Sequence, residues 1–428
     1  MDGLVRPGDA DYAALCAAWN VAVEHQPAYV VAAESAEQVR DAVAFAAANG
    51  LRVRVQGTGH GAISPATGDE LLISTARLND VLIDPETSSA LVGAGAKWRA
   101  VIDAAFPHGL APLVGSASDV GVAGYSLGGG MGFLCRKYGL ASDAIMEAHV
   151  VTGDGELVWA DEELLWALRG GGPNFGVVTA LRTRLVPAAQ IYAGALYWPV
   201  QSTREVLYGY RDWVASAPIE LVSAAGVLHV PDLPMIPEPM RGQSFARVCV
   251  CHCGPDFSGV DALLAPLRAI PGLMADMTGV IPFTRVDEIT QDPEQPLPFT
   301  IRGEMLTELT DGVLDHLVEV APRETSPYIL TLLRHCAGMP ARPGLAYADA
   351  AFALEAVCAP PTPDALAFCD RLSAAVAHAA TGGVPFNFVA SPEQVKLAYT
   401  SEYAERLLQL RKRYDPAGLF GGDRMLTS

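Results

Sequence analysis

The chain has 428 residues, half of them hydrophobic, and a formal net charge of -19 at pH 7. This length exceeds what one compact core usually holds, so we expect two domains with large cores. The acidic balance argues against nucleic acid and anionic membranes as partners, because both attract a basic protein face. It also implies that main-chain dipoles, rather than a lysine cluster, would hold any bound phosphates.

The N-terminal residues 1–9 have no basic start and no uninterrupted apolar core, so we expect no signal peptide. No uncharged apolar run is long enough to span a bilayer, and the expected location is the cytoplasm. Eight cysteines in a chain of this length do not indicate a disulfide framework. Cys249, Cys251 and Cys253 would diverge along one face of a strand, which favours a buried strand over a metal site.

Residues 1–187 mix short strands with helices. Ser35 is a predicted helix N-cap, and apolar residues at helical spacing follow it as far as Asn49 and Gly50. Residues 51–55 alternate between apolar and basic side chains and predict a strand that leads into a glycine-rich loop. The other predicted strands are 29–31, 71–73, 81–83, 90–93, 145–151, 156–159 and 177–185, and the other predicted helices are 98–106 and 162–169.

Residues 188–389 differ in character, with proline-rich loops at 231–239 and 293–298. The alternation of strands with helices in this region predicts an α+β domain with a mostly antiparallel sheet. Its predicted strands include 245–253, 328–333 and 352–357, and its predicted helices include 205–214 and 363–380. The last segment, 391–426, predicts one charged helix followed by an irregular tail.

Two glycine-dense stretches, Gly57–Ala62 and Gly121–Gly132, lie about seventy residues apart. Glycine tolerates positive φ and leaves neighbouring N–H groups unobstructed, so two such loops suggest a dinucleotide held along both phosphates. The glycines at 128–130 are also compatible with a tight packing contact. A histidine inside the first loop, His60, is suited to bonding with the cofactor.

The first stretch also matches G-x-G-x-x-A, a variant of the Rossmann fingerprint. That fold requires a helix to begin inside the motif, with its N-terminus on the pyrophosphate. The residues that follow include Pro65 and Gly68 and have no apolar period, so they do not predict a helix. We therefore interpret the Rossmann match as accidental.

Five segments follow the order and spacing of a known family: 55–61, 120–132, 136–143, 165–179 and 413–420. With these motifs the chain resembles FAD-linked oxidases of the vanillyl-alcohol-oxidase/PCMH superfamily, in the berberine-bridge-enzyme-like branch. The resemblance is loose between 190 and 385. It implies an α+β fold with a PCMH-type, two-subdomain FAD-binding domain at 1–187, a substrate (cap) domain at 188–389, and a segment at 390–428 that returns to the FAD domain.

The resemblance implies that FAD is attached covalently, through its 8α-methyl group, to His60. Some relatives have a second link from a cysteine, but this position holds Ala117, so a single link is implied; Cys135 is interpreted as structural. The residues expected to bind FAD are Gln56, Gly57, Thr58, Gly59, His60, Gly61, Ala62, Ser116, Ala117, Ser118, Asp119, Gly121, Gly124, Gly128, Gly129, Gly130, Gly132, Val178 and Asp423.

The implied reaction is hydride transfer from a small-molecule substrate to flavin N5, with O2 as the expected electron acceptor and a role in specialised metabolism. The family's usual base is a tyrosine at the position of Pro385, so that role does not carry over. We expect Asn387 and Tyr399 to contribute to catalysis. The other candidates for the base are Tyr347, Tyr403, His335 and Glu304.

A second hypothesis therefore stays open, in which a flavin-bound cyclase or other non-redox biosynthetic enzyme uses the same pocket. The absent tyrosine favours it, and so does Asp423, where family members often have asparagine. His60 and the two glycine stretches favour the oxidase.

Overall fold

The computed structural model describes residues 1, 3–234, 236, 238–340, 342–422 and 424–427. Within these residues the strands are β1 Tyr29–Ala32, β2 Arg52–Gln56, β3 Glu70–Ser74, β4 Val81–Asp84, β5 Ser89–Gly93, β6 Ile145–Val151, β7 Leu157–Trp159, β8 Val177–Arg184, β9 Gln190–Pro199, β10 Leu221–His229, β11 Ser244–His252, β12 Ala275–Asp276, β13 Gly279–Pro282, β14 Thr300–Leu306, β15 Tyr328–His335 and β16 Phe352–Cys358.

The α-helices of the described residues are α1 Tyr12–Cys16, α2 Ala36–Ala48, α3 Trp98–Ala105, α4 Val122–Leu127, α5 Cys135–Tyr138, α6 Glu162–Leu168, α7 Thr203–Val214, α8 Val260–Arg268, α9 Asp311–Glu319, α10 Pro363–Val376 and α11 Ser401–Tyr414. Short 3-10 helices are Phe106–His108, Ala141–Ala144, Val200–Ser202, Glu238–Met240, Phe283–Ile289, Arg323–Thr325, Phe386–Phe388 and Pro392–Ala398. No helix in this part of the chain is both long and apolar enough to cross a bilayer.

Two sheets come from the first half of the chain. A parallel three-stranded sheet has the order β1-β3-β2, and an antiparallel five-stranded sheet has the order β4-β5-β8-β6-β7. Helix α2 begins where predicted, because the Ser35 hydroxyl accepts from the Gln38 N–H, and its buried face packs on the small sheet. Strand β2 ends at Gln56, so the first glycine stretch begins at the carboxyl edge of this sheet.

The second half of the chain forms one antiparallel sheet of eight strands, in the order β12-β9-β11-β10-β15-β16-β14 with β13 also paired to β9. One face packs under helices α7 to α10, where Trp198, Val248 and Val250 are buried. The opposite face, with Cys249 and Cys251, packs against the core of the first half. The prediction that the cysteines lie along one face of a buried strand is confirmed, and so is the α+β fold with a mostly antiparallel second sheet.

The C-terminal segment differs from the prediction of one continuous helix. A 3-10 helix ends at Ala398, Tyr399 is extended, and helix α11 begins only after Thr400, whose hydroxyl caps it. Helix α10 likewise ends at Val376, four residues earlier than predicted. Local periodicity overestimates both helices because tertiary contacts interrupt them. In the C-terminal segment the Thr400 N–H bonds to the Gly344 carbonyl, and just after α10 the Thr307 N–H bonds to the Ala379 carbonyl.

After helix α11 the tail lies beside strand β2. Phe420 is paired with Val53 in a parallel bridge, through bonds from Val53 N–H to the Leu419 carbonyl and from Gly421 N–H to the Val53 carbonyl. The buried Asp415 carboxylate fixes this turn by accepting from the N–H groups of Leu419 and Phe420. The tail thereby lies along the open side of strand β2, the strand that leads into the first glycine stretch.

Candidate functional site

A cavity of about 710 Å³ lies between the two glycine stretches and the eight-stranded sheet. This volume is within the range of small-molecule and cofactor sites, which are usually concave and largely apolar. Glycines form much of its wall: Gly57, Gly59, Gly61, Gly115, Gly121, Gly124, Gly128, Gly130, Gly172 and Gly176. Main chain therefore approaches the cavity closely along one side.

The first glycine stretch is held by a segment near the N-terminus that the sequence reasoning missed. The Trp19 N–H bonds to the Thr58 carbonyl, and the Asn20 N–H bonds to the Gly59 carbonyl. Gly59 has φ +76°, and a Cβ there would lie 2.7 Å from Ala18 Cα. Only glycine suits both the left-handed backbone and the close approach. No local pattern around Trp19 indicates that it belongs to the site.

Gln56 is the last residue of β2, and both the nitrogen and the oxygen of its side-chain amide are hydrogen-bonded. Its Nε2 donates to the Ala17 carbonyl at 2.9 Å, and its Oε1 lies 2.9 Å from His25 Nε2. His25 Nδ1 accepts from the Ala66 N–H, so its Nε2 carries the proton and donates to Gln56. A network of hydrogen bonds therefore holds the residue from which the first glycine stretch begins.

His60 lies inside the cavity wall between an aromatic ring and a carboxylate. Its ring stacks on Trp19 with centroids 4.1 Å apart, and its Nε2 lies 3.1 Å from Asp119 Oδ2. Burial raises the pKa of Asp119, but the bond to His60 and the charges of His60 and Lys97 outweigh it, so this pKa is lowered. An ionised carboxylate can only accept, so Nε2 donates to Asp119, and in the neutral tautomer Nδ1 would be the nitrogen without a proton.

The second glycine stretch is partly helical, whereas the sequence analysis treats it as a loop. Helix α4 begins at Val122, and Gly121, Ala123, Gly124 and Tyr125 line the cavity from its first turns. Two further glycines of the stretch have packing roles. Gly130 has φ +76° and packs against the Tyr125 ring, and a Cβ on Gly132 would lie 1.9 Å from the Val114 carbonyl oxygen.

Most of the residues predicted to bind FAD line this one cavity. They are Gln56, Gly57, Thr58, Gly59, His60, Gly61, Ala62, Ser116, Ala117, Gly121, Gly124, Gly128, Gly130 and Val178. Ser118, Asp119, Gly129 and Gly132 are not part of the described lining. Ser118 instead bonds to Asp287 through both its N–H and its hydroxyl. Asp423 lies outside the described residues.

The eight-stranded sheet contributes a charged pair that no sequence motif indicates. Arg334 on β15 donates from Nε to Glu355 Oε1 on β16 at 3.2 Å, and both residues are buried and line the cavity. Burial raises the pKa of Glu355, and Arg334 only partly offsets this. Arg334 is paired with Ala353 and Glu355 with Leu332, so the two charged side chains, 21 residues apart in sequence, are diagonal neighbours on one face of the sheet.

Of the two residues predicted to contribute to catalysis, only Asn387 lies in the described cavity wall. Asn387 lines the cavity, but its Nδ2 donates to the Tyr125 carbonyl at 3.0 Å. Tyr399 is outside the described lining, and its hydroxyl donates to the Gly170 carbonyl at 2.8 Å. Of the other four candidates, only Tyr347 lies in the described cavity wall; Tyr403, His335 and Glu304 do not.

The C-terminal tail completes the wall with Arg424. Its Nη1 donates to the Phe386 carbonyl at 2.6 Å and its Nη2 to the Val389 carbonyl at 3.2 Å. Leu426 N–H donates to the buried Asn174 side chain at 2.7 Å. The tail therefore connects the first sheet, the 3-10 helix at 386–388 and the loop at 170–176.

Residues 27–161, which carry both glycine stretches, match a family model described as an FAD-binding domain. The (R)-6-hydroxynicotine oxidase of Paenarthrobacter nicotinovorans is 36% identical over 201 residues, covering 46% of this chain and 44% of that protein. The aligned region thus covers less than half the length of this curated relative.

Solved structures share the fold over nearly the whole chain. The 6-hydroxy-D-nicotine oxidase of Arthrobacter nicotinovorans has a TM-score of 0.85 at 24% identity, covering 100% of this chain and 98% of its own. BBE-like 1 of Physcomitrella patens has a TM-score of 0.85 at 19% identity, covering 99% and 96%. At these identities the likeness shows the fold alone.

The matched domain and the cavity define a protein with an FAD-binding domain. Residues 27–161 thus form an FAD-binding domain, and the fold of the whole chain is similar to that of 6-hydroxy-D-nicotine oxidase and of BBE-like 1. The resemblance stated from the sequence is confirmed at this level.

Proposed function

We propose that the chain is an FAD-dependent oxidase of a small-molecule substrate, with the flavin joined covalently to His60. The observation that carries the proposal is the position of His60, which lies in a glycine-walled cavity with its Nε2 bonded to Asp119. Oxidase names among the relatives support the activity. Small-molecule and oligosaccharide substrates of those relatives support the substrate size, and O2 is the proposed acceptor.

The described residues fit a flavin nucleotide. Gly124 lines the cavity, and no described atom lies within 4 Å of the position that a Cβ would take there. A side chain at this position would extend into the space that the cofactor requires. Main chain of 57–62 and of 115–121 would hold the nucleotide, His60 would attach it, and bound FAD would supply a two-electron acceptor.

We assign proton uptake from the substrate to Glu355 rather than to Tyr399. Glu355 lines the cavity, whereas the hydroxyl of Tyr399 is already bonded to the Gly170 carbonyl outside it. Burial raises the pKa of Glu355, which makes its carboxylate a stronger base than an exposed glutamate. Arg334 holds the carboxylate in place through the bond to Oε1.

The proposal is tested by His60→Ala, with the exposed His108→Ala as the matched control. We expect denatured parent and H108A chains to retain flavin fluorescence in a gel and to carry the mass of FAD. H60A should lose both signals and keep a thermal unfolding midpoint close to that of the parent. Complete release of FAD from the denatured parent would refute the covalent link. A colourless parent that does not bind added FAD would refute the whole function.

A further inference from the structure

On the face of the eight-stranded sheet that lines the cavity, one row of residues contains the charged Glu355 and the row beside it is apolar. Leu332, Glu355 and Gly303 are paired across β15, β16 and β14. Two residues along the strands, Leu330, Val357 and Ile301 form the next row. Strand geometry separates these rows by about 7 Å, the width of a six-membered ring with its substituents.

Arg334, which is paired with Ala353 in the row beyond Glu355, has donor capacity that the protein does not use. Arg334 is 2% exposed and lines the cavity, and it gives Nε to Glu355. Among the described residues, its Nη1 has no hydrogen-bond partner. A buried guanidinium nitrogen without a partner is costly, and a carbonyl oxygen on a bound molecule would relieve that cost.

Further hydrophobic side chains adjoin both rows. Phe388 lies over Gly303, where a Cβ would meet Phe388 Cβ at 2.6 Å. Leu297, Phe299, Pro361 and Leu366 also line the cavity. Hydroxyl groups placed against this surface would lose their bonds to water without gaining new ones.

Several polar side chains of the wall are already bonded to the protein. Asn20 Nδ2 lies 3.1 Å from both the Ala62 and Phe299 carbonyls, and its Oδ1 accepts from the Phe299 N–H. Thr290 donates to the Ser116 carbonyl, and Asn387 donates to the Tyr125 carbonyl. These groups are therefore poorly placed to bind the many hydroxyls of a sugar.

We infer that the substrate is an apolar, ring-bearing alcohol with a carbonyl group next to its carbinol carbon, and not an oligosaccharide. The carbonyl oxygen accepts from Arg334, the hydroxyl donates to Glu355, and the apolar body lies on Leu330, Val357 and Ile301. Oxidation removes the carbinol C–H hydrogen with two electrons to the flavin and the hydroxyl proton to Glu355, leaving a second carbonyl. This inference rests on the proposed function.

The test measures binding to the yellow holoprotein by titration calorimetry with three probes: benzoin, 1,2-diphenylethanol and xylobiose. We expect benzoin to bind at least about tenfold more tightly than 1,2-diphenylethanol, which lacks the carbonyl. Xylobiose should bind more weakly than both. Xylobiose binding as tightly as benzoin overturns the inference, whereas a colourless chain overturns the proposed function instead.

Two variants test the contacts. R334K keeps the charge but loses the planar set of donors, so the preference for benzoin over 1,2-diphenylethanol should disappear. V357T is nearly isosteric but buries a hydroxyl, so benzoin binding should weaken about tenfold. The matched control is V280T on the exposed β13, which should leave all affinities unchanged. Equal weakening of all three probes by R334K, or no effect of V357T, overturns the assignment of these contacts.

Discussion

In the proposed covalent attachment, Asp119 would determine which nitrogen of His60 is available. Its carboxylate accepts from Nε2, so in the neutral tautomer Nδ1 carries no proton, while Trp19 stacks on the ring. A neutral imidazole with one free lone pair is the form that attacks an electrophilic carbon. The reactivity of His60 thus depends on a residue 59 positions away in the sequence.

Asp119→Asn should slow covalent attachment without preventing FAD from binding. An amide can donate as well as accept, so it no longer fixes the tautomer, and it supplies no negative charge to the imidazole. We expect less than about a tenth of the parent's covalent flavin after a fixed incubation of apoprotein with FAD. In-gel fluorescence measures the covalent fraction, and absorbance of the folded protein measures total flavin. Asp103→Asn, at an exposed helix position, is the control.

Glu355→Gln should reduce turnover while preserving the fold. Glutamine keeps an oxygen that accepts from Arg334 but cannot take up a proton, so flavin reduction by benzoin under anaerobic conditions should slow by about a hundredfold or more. In the parent, the rate should rise with pH through a pKa above the usual glutamate range, because the carboxylate must be ionised and burial raises this pKa. Glu304→Gln on the adjacent β14 is the matched control, and equal losses in both variants would exclude Glu355 as the base.

At the scale of elements, the cavity wall depends on a tail that has little regular structure of its own. Asn174, 1% exposed, donates to the Gly171 carbonyl at 2.6 Å and accepts from the Leu426 N–H at 2.7 Å. Arg411 on α11 donates to the Leu426 carbonyl at 2.7 Å. These bonds hold the segment that carries Arg424 against the cavity.

Asn174→Ala should therefore release the tail locally. Two buried main-chain groups lose their partner, at a cost of about 1–3 kcal/mol each. Hydrogen exchange measured by mass spectrometry should become faster in residues 419–422 and 424–427, with little change in strands β9 to β11. Asn49→Ala at the exposed end of α2 serves as the control. Unchanged exchange in the tail would mean that Arg411 and the bridge to Val53 hold it without Asn174.

For the whole molecule, two buried histidines connect stability to pH. Burial lowers the pKa of His229 to about 4, aided by Arg323, and burial lowers the pKa of His335 to about 4, aided by Arg136. The folded state therefore binds fewer protons than the unfolded state between about pH 4 and the usual histidine pKa of about 6.5. Their contribution to stability is complete above that window and is lost as pH falls through it. The raised pKa of Glu355 acts in the opposite direction.

We expect the free energy of unfolding to fall by about 1–2 kcal/mol per histidine between pH 7.5 and pH 5. His229→Asn should lose less stability over this interval than the parent, and the difference between the two isolates this histidine from other titrating groups. Urea unfolding at both pH values, followed by far-UV circular dichroism, gives the comparison. Parallel losses in parent and variant would show that His229 does not contribute.

Local sequence was sufficient for several of the regular elements and for the cofactor motif. Strand β2, the N-cap at Ser35 and the alternation of β11 follow from side-chain periodicity, which acts over a few residues. His60 and the glycines next to it were predicted because main chain that closely approaches a cofactor requires several glycines at neighbouring positions in the sequence. The same reasoning treated helix α4 as a loop, since glycine propensity is a weak guide when tertiary packing stabilises one short turn.

The tertiary structure decided what surrounds that motif. Trp19 and Asp119 meet at His60, Arg334 and Glu355 meet across two paired strands, and Arg424 returns from the far end of the chain. Each contact joins residues that are distant in sequence, and strand register and chain crossing bring them together. Such contacts leave no local periodicity, so the amino-acid sequence alone predicted the cofactor loop and named Asp119, but it did not predict the contact of Asp119 with His60 or the groups that face the proposed substrate.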